Sequence, residues 1–195
     1  NLTVNGSTLN LIGDFTLDTL NLSTGTINLN SGGAGGGDTL NFTTALNWSN
    51  GSSINGNIAE TSILNIPTAA SMNLTGDIGG ANKRTLNNVT VNNAGTFNYG
   101  STGDDNLRLT GGTVFNNLAT GLFDFQTTSP IQTTGTATLN NFNEVRVSSG
   151  GLSAINAGIS FNTNTGALLD IQTGSTLSIQ SLPTLTLDTG ISLTG

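Results

Sequence analysis

Residues 31–42 read SGGAGGGDTLNF, a glycine run broken by Ala34 and closed by Asp38. A glycine-rich turn ending in a carboxylate is the chemistry of a calcium loop. Residues 33–41, GAGGGDTLN, approach the nonapeptide G-G-x-G-x-D-x-U-x, with Ala34 in place of the second glycine. Residues 100–108, GSTGDDNLR, approach it again, with Ser101 in that place and Asp104 and Asp105 as carboxylates. In calcium-binding repeats the carboxylates and turn carbonyls of successive copies share the ion, so the copies must be in tandem. Here they are far apart, and the comparable stretch 79–86, GGANKRTL, puts Lys83 and Arg84 where the carboxylate would stand. Asp38, Asp104 and Asp105 are therefore weak calcium candidates, and the glycine run reads as a corner with an exposed aspartate. A phosphate cradle needs a helix N-terminus behind the glycines, and the sequence offers no helix there.

Other chemistry is limited by composition. The 195 residues include no cysteine and no histidine. That excludes disulfides, cysteine nucleophiles, Ser–His triads and Cys/His zinc sites. Four basic residues against eleven acidic ones, a net charge of −7, leave too little positive charge for a nucleic-acid partner. Asp104-Asp105 is the adjacent carboxylate pair, but neighbours on a strand face opposite sides. The eleven acids are scattered and give no sign of converging into a general acid–base pair. Lys83-Arg84 reads as the solvated tip of an insertion, with a sugar or anion contact as the alternative. Trp48 and Tyr99 read as core residues rather than sugar-stacking platforms. Asn-x-Ser/Thr triplets such as 5–7 and 47–49 follow from composition alone, since Thr and Asn make up roughly 30% of the chain.

The elements that must carry these residues are strands. Short alternating words recur throughout: TLNL, TINLN, TFNY, LFDF, EVRV, LLDI, TLSI. Each ends in Gly, Asn, Ser or Asp, the pattern of strands between tight turns. Beneath them lies a repeat. A large apolar residue followed by Asn occurs at Leu20-Asn21, Leu40-Asn41, Leu64-Asn65, Leu86-Asn87, Phe115-Asn116, Leu139-Asn140 and Phe161-Asn162, and Leu185-Thr186 continues it. The steps are about 20, 24, 22, 29, 24, 22 and 24 residues, inside the solenoid window. A second apolar pair keeps step downstream: Ile27/Leu29, Leu46/Trp48, Met72/Leu74, Phe97/Tyr99, Phe123/Phe125, Val145/Val147, Leu169/Ile171 and Ile191/Leu193.

A coil of roughly 22–24 residues holds three short strands and three corners. Stacked coils, ~4.8 Å apart, align equivalent side chains into ladders. Leu and Phe fill a dry interior, and each Asn amide can bond to the next. The reading is all-β: a single parallel β-helix (β-solenoid) of about eight coils over residues 1–195. A β-sandwich is the competing fold, but it does not call for one residue-specific ladder at one period. No apolar run reaches the ~18 residues of a membrane helix, and the chain reads as an internal piece of a longer protein or a filament subunit.

The runs GGAGGGDTLNF, NGSSINGNI, LNNVTVNNAGTFNYG and NTGALLDIQTGSTLSI resemble passenger regions of bacterial autotransporters and of large exoproteins of the filamentous-haemagglutinin type. The resemblance implies a right-handed parallel β-helix exported to the cell surface or medium. It also implies an adhesive, stalk or scaffold role with no catalysis in this segment. The partners expected are further coils, of the same chain or of another copy end to end, and host-surface or matrix glycan or protein. Neither cofactor nor membrane insertion is expected. A carbohydrate-binding or carbohydrate-cleaving β-helix and an ice-binding β-solenoid are the alternatives.

Overall fold

The computed structural model describes residues 1–29, 37–76, 83–100 and 106–180, together with the backbone of the strands Leu185–Leu187 and Ser192–Thr194. Among these residues there is no helix, and the paired strands are parallel, each to the strand one coil away. The chain winds repeatedly through three faces. Face one is an eight-stranded sheet running from Ser7–Leu11 through Gly25–Leu29, Ser52–Asn55, Arg84–Asn87, Leu107–Thr110, Ile131–Thr134 and Leu152–Ile155 to Thr176–Ile179. Face two includes Ser62–Ile66, Val89–Asn93, Val114–Asn117, Ala137–Asn141 and Ile159–Thr163. Face three includes Ser71–Leu74, Thr96–Tyr99, Leu122–Phe125, Glu144–Val147 and Leu168–Ile171.

The expected eight coils resolve into about six turns of three separate strands. Two further passes precede them. In these, faces two and three run together as one bent strand, Phe15–Leu22 and then Thr39–Trp48, which joins the two faces into a 15-stranded sheet. Coil length is also less regular than expected. Successive asparagines on face two are 24, 27, 24, 24 and 22 residues apart, and the first step on face one is 18.

Strict alternation decides which side chains point in. In Val89–Asn93 and Ala137–Asn141 every second residue is buried. On face two the inward column is Phe15, Leu40, Leu64, Val91, Phe115, Leu139 and Phe161. On face three it is Leu20, Leu46, Met72, Phe97, Phe123, Val145 and Leu169. Mid-rod, these columns meet in an aromatic cluster, with ring centroids of Phe97 and Phe123 4.6 Å apart and of Phe115 and Phe123 5.0 Å apart. Each fully buried Leu or Phe contributes about 1.5–3 kcal/mol of transfer free energy. Trp48 and Tyr99 are core residues, as expected. The Trp48 indole N–H donates to Ser52 Oγ. The Tyr99 hydroxyl donates to Pro130 O at 3.0 Å and accepts from Leu107 N at 2.9 Å.

The single expected ladder needs correction. Leu40, Leu64, Phe115, Leu139 and Phe161 do share face two, but Leu20-Asn21 belongs to face three and Leu86-Asn87 to face one. The rung that Leu86 was expected to fill is Val91-Asn92. Likewise Ile27/Leu29 lies on face one, not with Leu46/Trp48, and Ile191 falls outside the described residues. All three faces use the same Thr/Ser–apolar–Asn word: Thr26-Ile27-Asn28 on face one, Thr90-Val91-Asn92 on face two, Thr96-Phe97-Asn98 on face three. A dyad search cannot tell them apart.

Candidate functional site

Asparagine does two jobs in this molecule. The outward Asn of each word bonds coil to coil. On face two, Asn65 Nδ2 donates to Asn41 Oδ1 at 2.9 Å. The series continues through Asn92, Asn116 and Asn140 to Asn162 at 2.8–3.2 Å. Face three repeats this from Asn21 through Asn47 and Asn73 to Asn98, and face one from Asn10 through Asn28 to Asn55. A second Asn follows in the words VNN, FNN and LNN. It points inward: Asn93, Asn117 and Asn141 are fully buried at the corner between faces two and three. Their amides also donate to the carbonyls of Leu122, Glu144 and Leu168 on face three. These amides supply the turn with hydrogen bonds that the strand ladder cannot provide.

On face three the outward amide column changes character. Where other coils carry Asn, successive rungs carry Asp124, Arg146 and Asp170. The Arg146 guanidinium lies 2.5 Å from Glu144 Oε1 and 3.4 Å from Asp170 Oδ2. Burial alone would lower the arginine's pKa, but Glu144, Asp124 and Asp170 outweigh it and hold it above its ordinary value. Asp124 is itself held by Ser148 Oγ at 2.7 Å and Gln126 Nε2 at 3.0 Å. The acids were expected not to converge; here three of them converge on one cation. The signal was present in LFDF, EVRV and LLDI, where the third letter of each word is charged at the coil period.

Face one carries a groove of about 310 Å³ lined by Arg108, Gln132, Thr133, Thr134, Asn156, Ala157 and Gln180. Sequence reasoning counted Arg108 only among the basic residues. A second groove, of about 290 Å³, lies under the 57–61 loop, beside the exposed Ile58.

The calcium candidates fare differently. Asp104 and Asp105 lie outside the described residues. Asp38 was expected on an exposed corner, yet it is 2% exposed. Its Oδ1 accepts from Gly13 N at 2.6 Å, while Asp14 Oδ1 accepts from Thr39 N at 3.0 Å, so the two aspartates fasten adjacent coils reciprocally. A Cβ on Gly37 would stand 1.5 Å from Thr61 O, so this glycine is there for a close approach between coils rather than for freedom of motion. Among the described residues no group of three or more carboxylates is placed to hold a metal ion. Arg84 also departs from expectation. It is not a solvated tip: it begins a face-one strand with its side chain fully buried, and its guanidinium donates to Thr75 O.

The chain matches no protein-family model, no curated protein and no solved structure. The fold defines its class: a parallel β-solenoid with three sheet faces and asparagine ladders.

Proposed function

We propose that this chain is an extracellular structural and adhesive β-solenoid module, part of a stalk, fibre or scaffold at a bacterial surface, without catalysis of its own. The observation that supports this most is the amide ladder of face two. Six consecutive asparagines there are committed to holding coil to coil, and no residue of the five separate strands of that face is charged. Such a surface builds length and stiffness by repetition, since each coil contacts only its neighbours. The resemblance to exported passenger regions points the same way. The partners proposed are further coils, added within the chain or end to end, and a surface or matrix ligand. Electron microscopy of the native material, with binding of labelled protein to cells and matrix, tests the reading. Rods that adhere are expected. Compact particles that adhere to nothing would overturn it.

A carbohydrate-cleaving β-helix is the second reading, and the convergence of Asp124, Glu144 and Asp170 on Arg146 is what favours it. New reducing ends or unsaturated products from a polysaccharide, lost in Asp124→Asn, would replace the first reading with this one. Ice binding has less behind it. The outward column beside the face-two asparagines alternates Thr39, Ile63, Thr90, Val114, Thr138 and Ser160 rather than repeating threonine.

A further inference from the structure

We infer that the face-one groove around Arg108 binds the carboxylate of an acidic sugar. This deepens the adhesive reading and rests on it. Two observations converge. First, Arg108 is a charge without a partner: among the described residues nothing bonds to its guanidinium, and its Nε is buried without an acceptor. The other described cations are engaged. Arg146 is ion-paired, Arg84 bonds to Thr75 O, and Lys83 has a partner of its own. A half-buried guanidinium without an acceptor is costly, and an arriving anion relieves that cost.

Second, the lining beside Arg108 carries the amides of Gln132, Asn156 and Gln180 and the hydroxyl of Thr134. Arg108 pairs with Gln132 in register. Asn156 N bonds Ile131 O and Gln180 N bonds Ile155 O, which carries the line on by one coil each time. Arg108, Gln132, Asn156 and Gln180 therefore form a polar row along the rod, spanning three steps of ~4.8 Å, or ~14 Å. Ala157 is the one residue of the lining without a polar side chain. A planar guanidinium fork matches a carboxylate with two parallel hydrogen bonds. The amides and hydroxyls beyond it match sugar hydroxyls. One carboxylate at one end and uncharged donors and acceptors along the rest describe a short acidic oligosaccharide lying along the axis.

The test uses the whole chain and three probes: an oligouronate, its methyl ester and a sulfated neutral oligosaccharide. Binding is measured by calorimetry for the wild type and for Arg108→Gln, with thermal melts of both. The oligouronate should bind the wild type and lose about tenfold or more in Arg108→Gln, while the melts coincide because Arg108 holds none of the other described residues. The methyl ester should bind weakly in both. Asn156→Leu, which keeps the charge but obstructs the row, should weaken the oligouronate too. Equal binding of the ester, equal binding of the sulfated probe, unchanged affinity in Arg108→Gln, or no binding of the oligouronate each overturns the proposal. Adhesion to cells or matrix that survives in Arg108→Gln would leave the adhesive reading standing without this site.

Discussion

Asn93 and Asn117 lie one coil apart, both fully buried, and the side-chain amide of Asn93 donates to Asn117 Oδ1 at 2.8 Å. Asn117 donates in turn to Asn141 at 2.9 Å, so this inner ladder runs toward the C-terminus. The outer ladder one residue away runs the other way, Asn116 donating back to Asn92. Replacing Asn117 with Ala removes the acceptor of the buried Asn93 amide and the donor to Asn141 Oδ1, breaking the line in the dry interior. The expected loss is about 2–4 kcal/mol in denaturant unfolding, against about 1 kcal/mol for Asn116→Ala on the wetter side. Equal losses at the two positions would show that burial is not what makes the inner ladder matter.

Leu139 is fully buried between Phe115 and Phe161. Because the facing sheets hold their spacing, the void cannot close, and Leu139→Ala should cost about 2–5 kcal/mol. Ile58, 92% exposed, gives the control: Ile58→Ala should stay within about 0.5 kcal/mol. Both come from the same chemical-denaturation series.

Gly37→Ala would place a methyl group on the Thr61 carbonyl. The neighbour is backbone and cannot swing aside, so a loss of about 1–3 kcal/mol or more is expected. A melting curve like that of the wild type would mean that the close approach at Gly37 is dispensable.

The Asp18 carboxylate accepts from Thr44 Oγ1 at 2.6 Å and from Thr43 Oγ1 at 3.3 Å. The Thr44 bond is the largest influence and holds Asp18 below the ordinary aspartate value of 3.8. A depressed carboxylate contributes stability that is fully present above the unfolded-state pKa and is lost as pH falls through the folded one. NMR titration should place Asp18 below 3.8 in the wild type and return it upward in Thr44→Val. A titration unmoved by that substitution would rule out Thr44 as the cause.

With Asp38 Oδ1 taken by Gly13 N and no larger carboxylate group among the described residues, millimolar calcium or a chelator should leave the melting temperature unchanged. An ion bound only by the folded chain at 100 times its Kd would stabilise by about 2.7 kcal/mol, which a thermal melt detects easily. A clear upward shift would reinstate the calcium reading of the glycine run.

The sequence by itself determined the strand character, the inward and outward sides, and the existence of a coil repeat. Alternation is local: in Ala137–Asn141, Leu139 must face the core if Asn140 faces out, whatever lies above or below. Which rungs are neighbours is not local. Leu20-Asn21, Leu86-Asn87 and Leu139-Asn140 are the same word on three different faces, and only the winding of the coil separates them. The same winding decides that Asp124, Arg146 and Asp170 meet, and that Arg108 heads a row with Gln132, Asn156 and Gln180. It also turns Arg84 inward and seals Asp38. The physical reason is that a parallel ladder places in contact residues some two dozen positions apart, at a separation set by corner lengths. Corner lengths vary from coil to coil, so contacts across coils are decided only when the whole turn has closed.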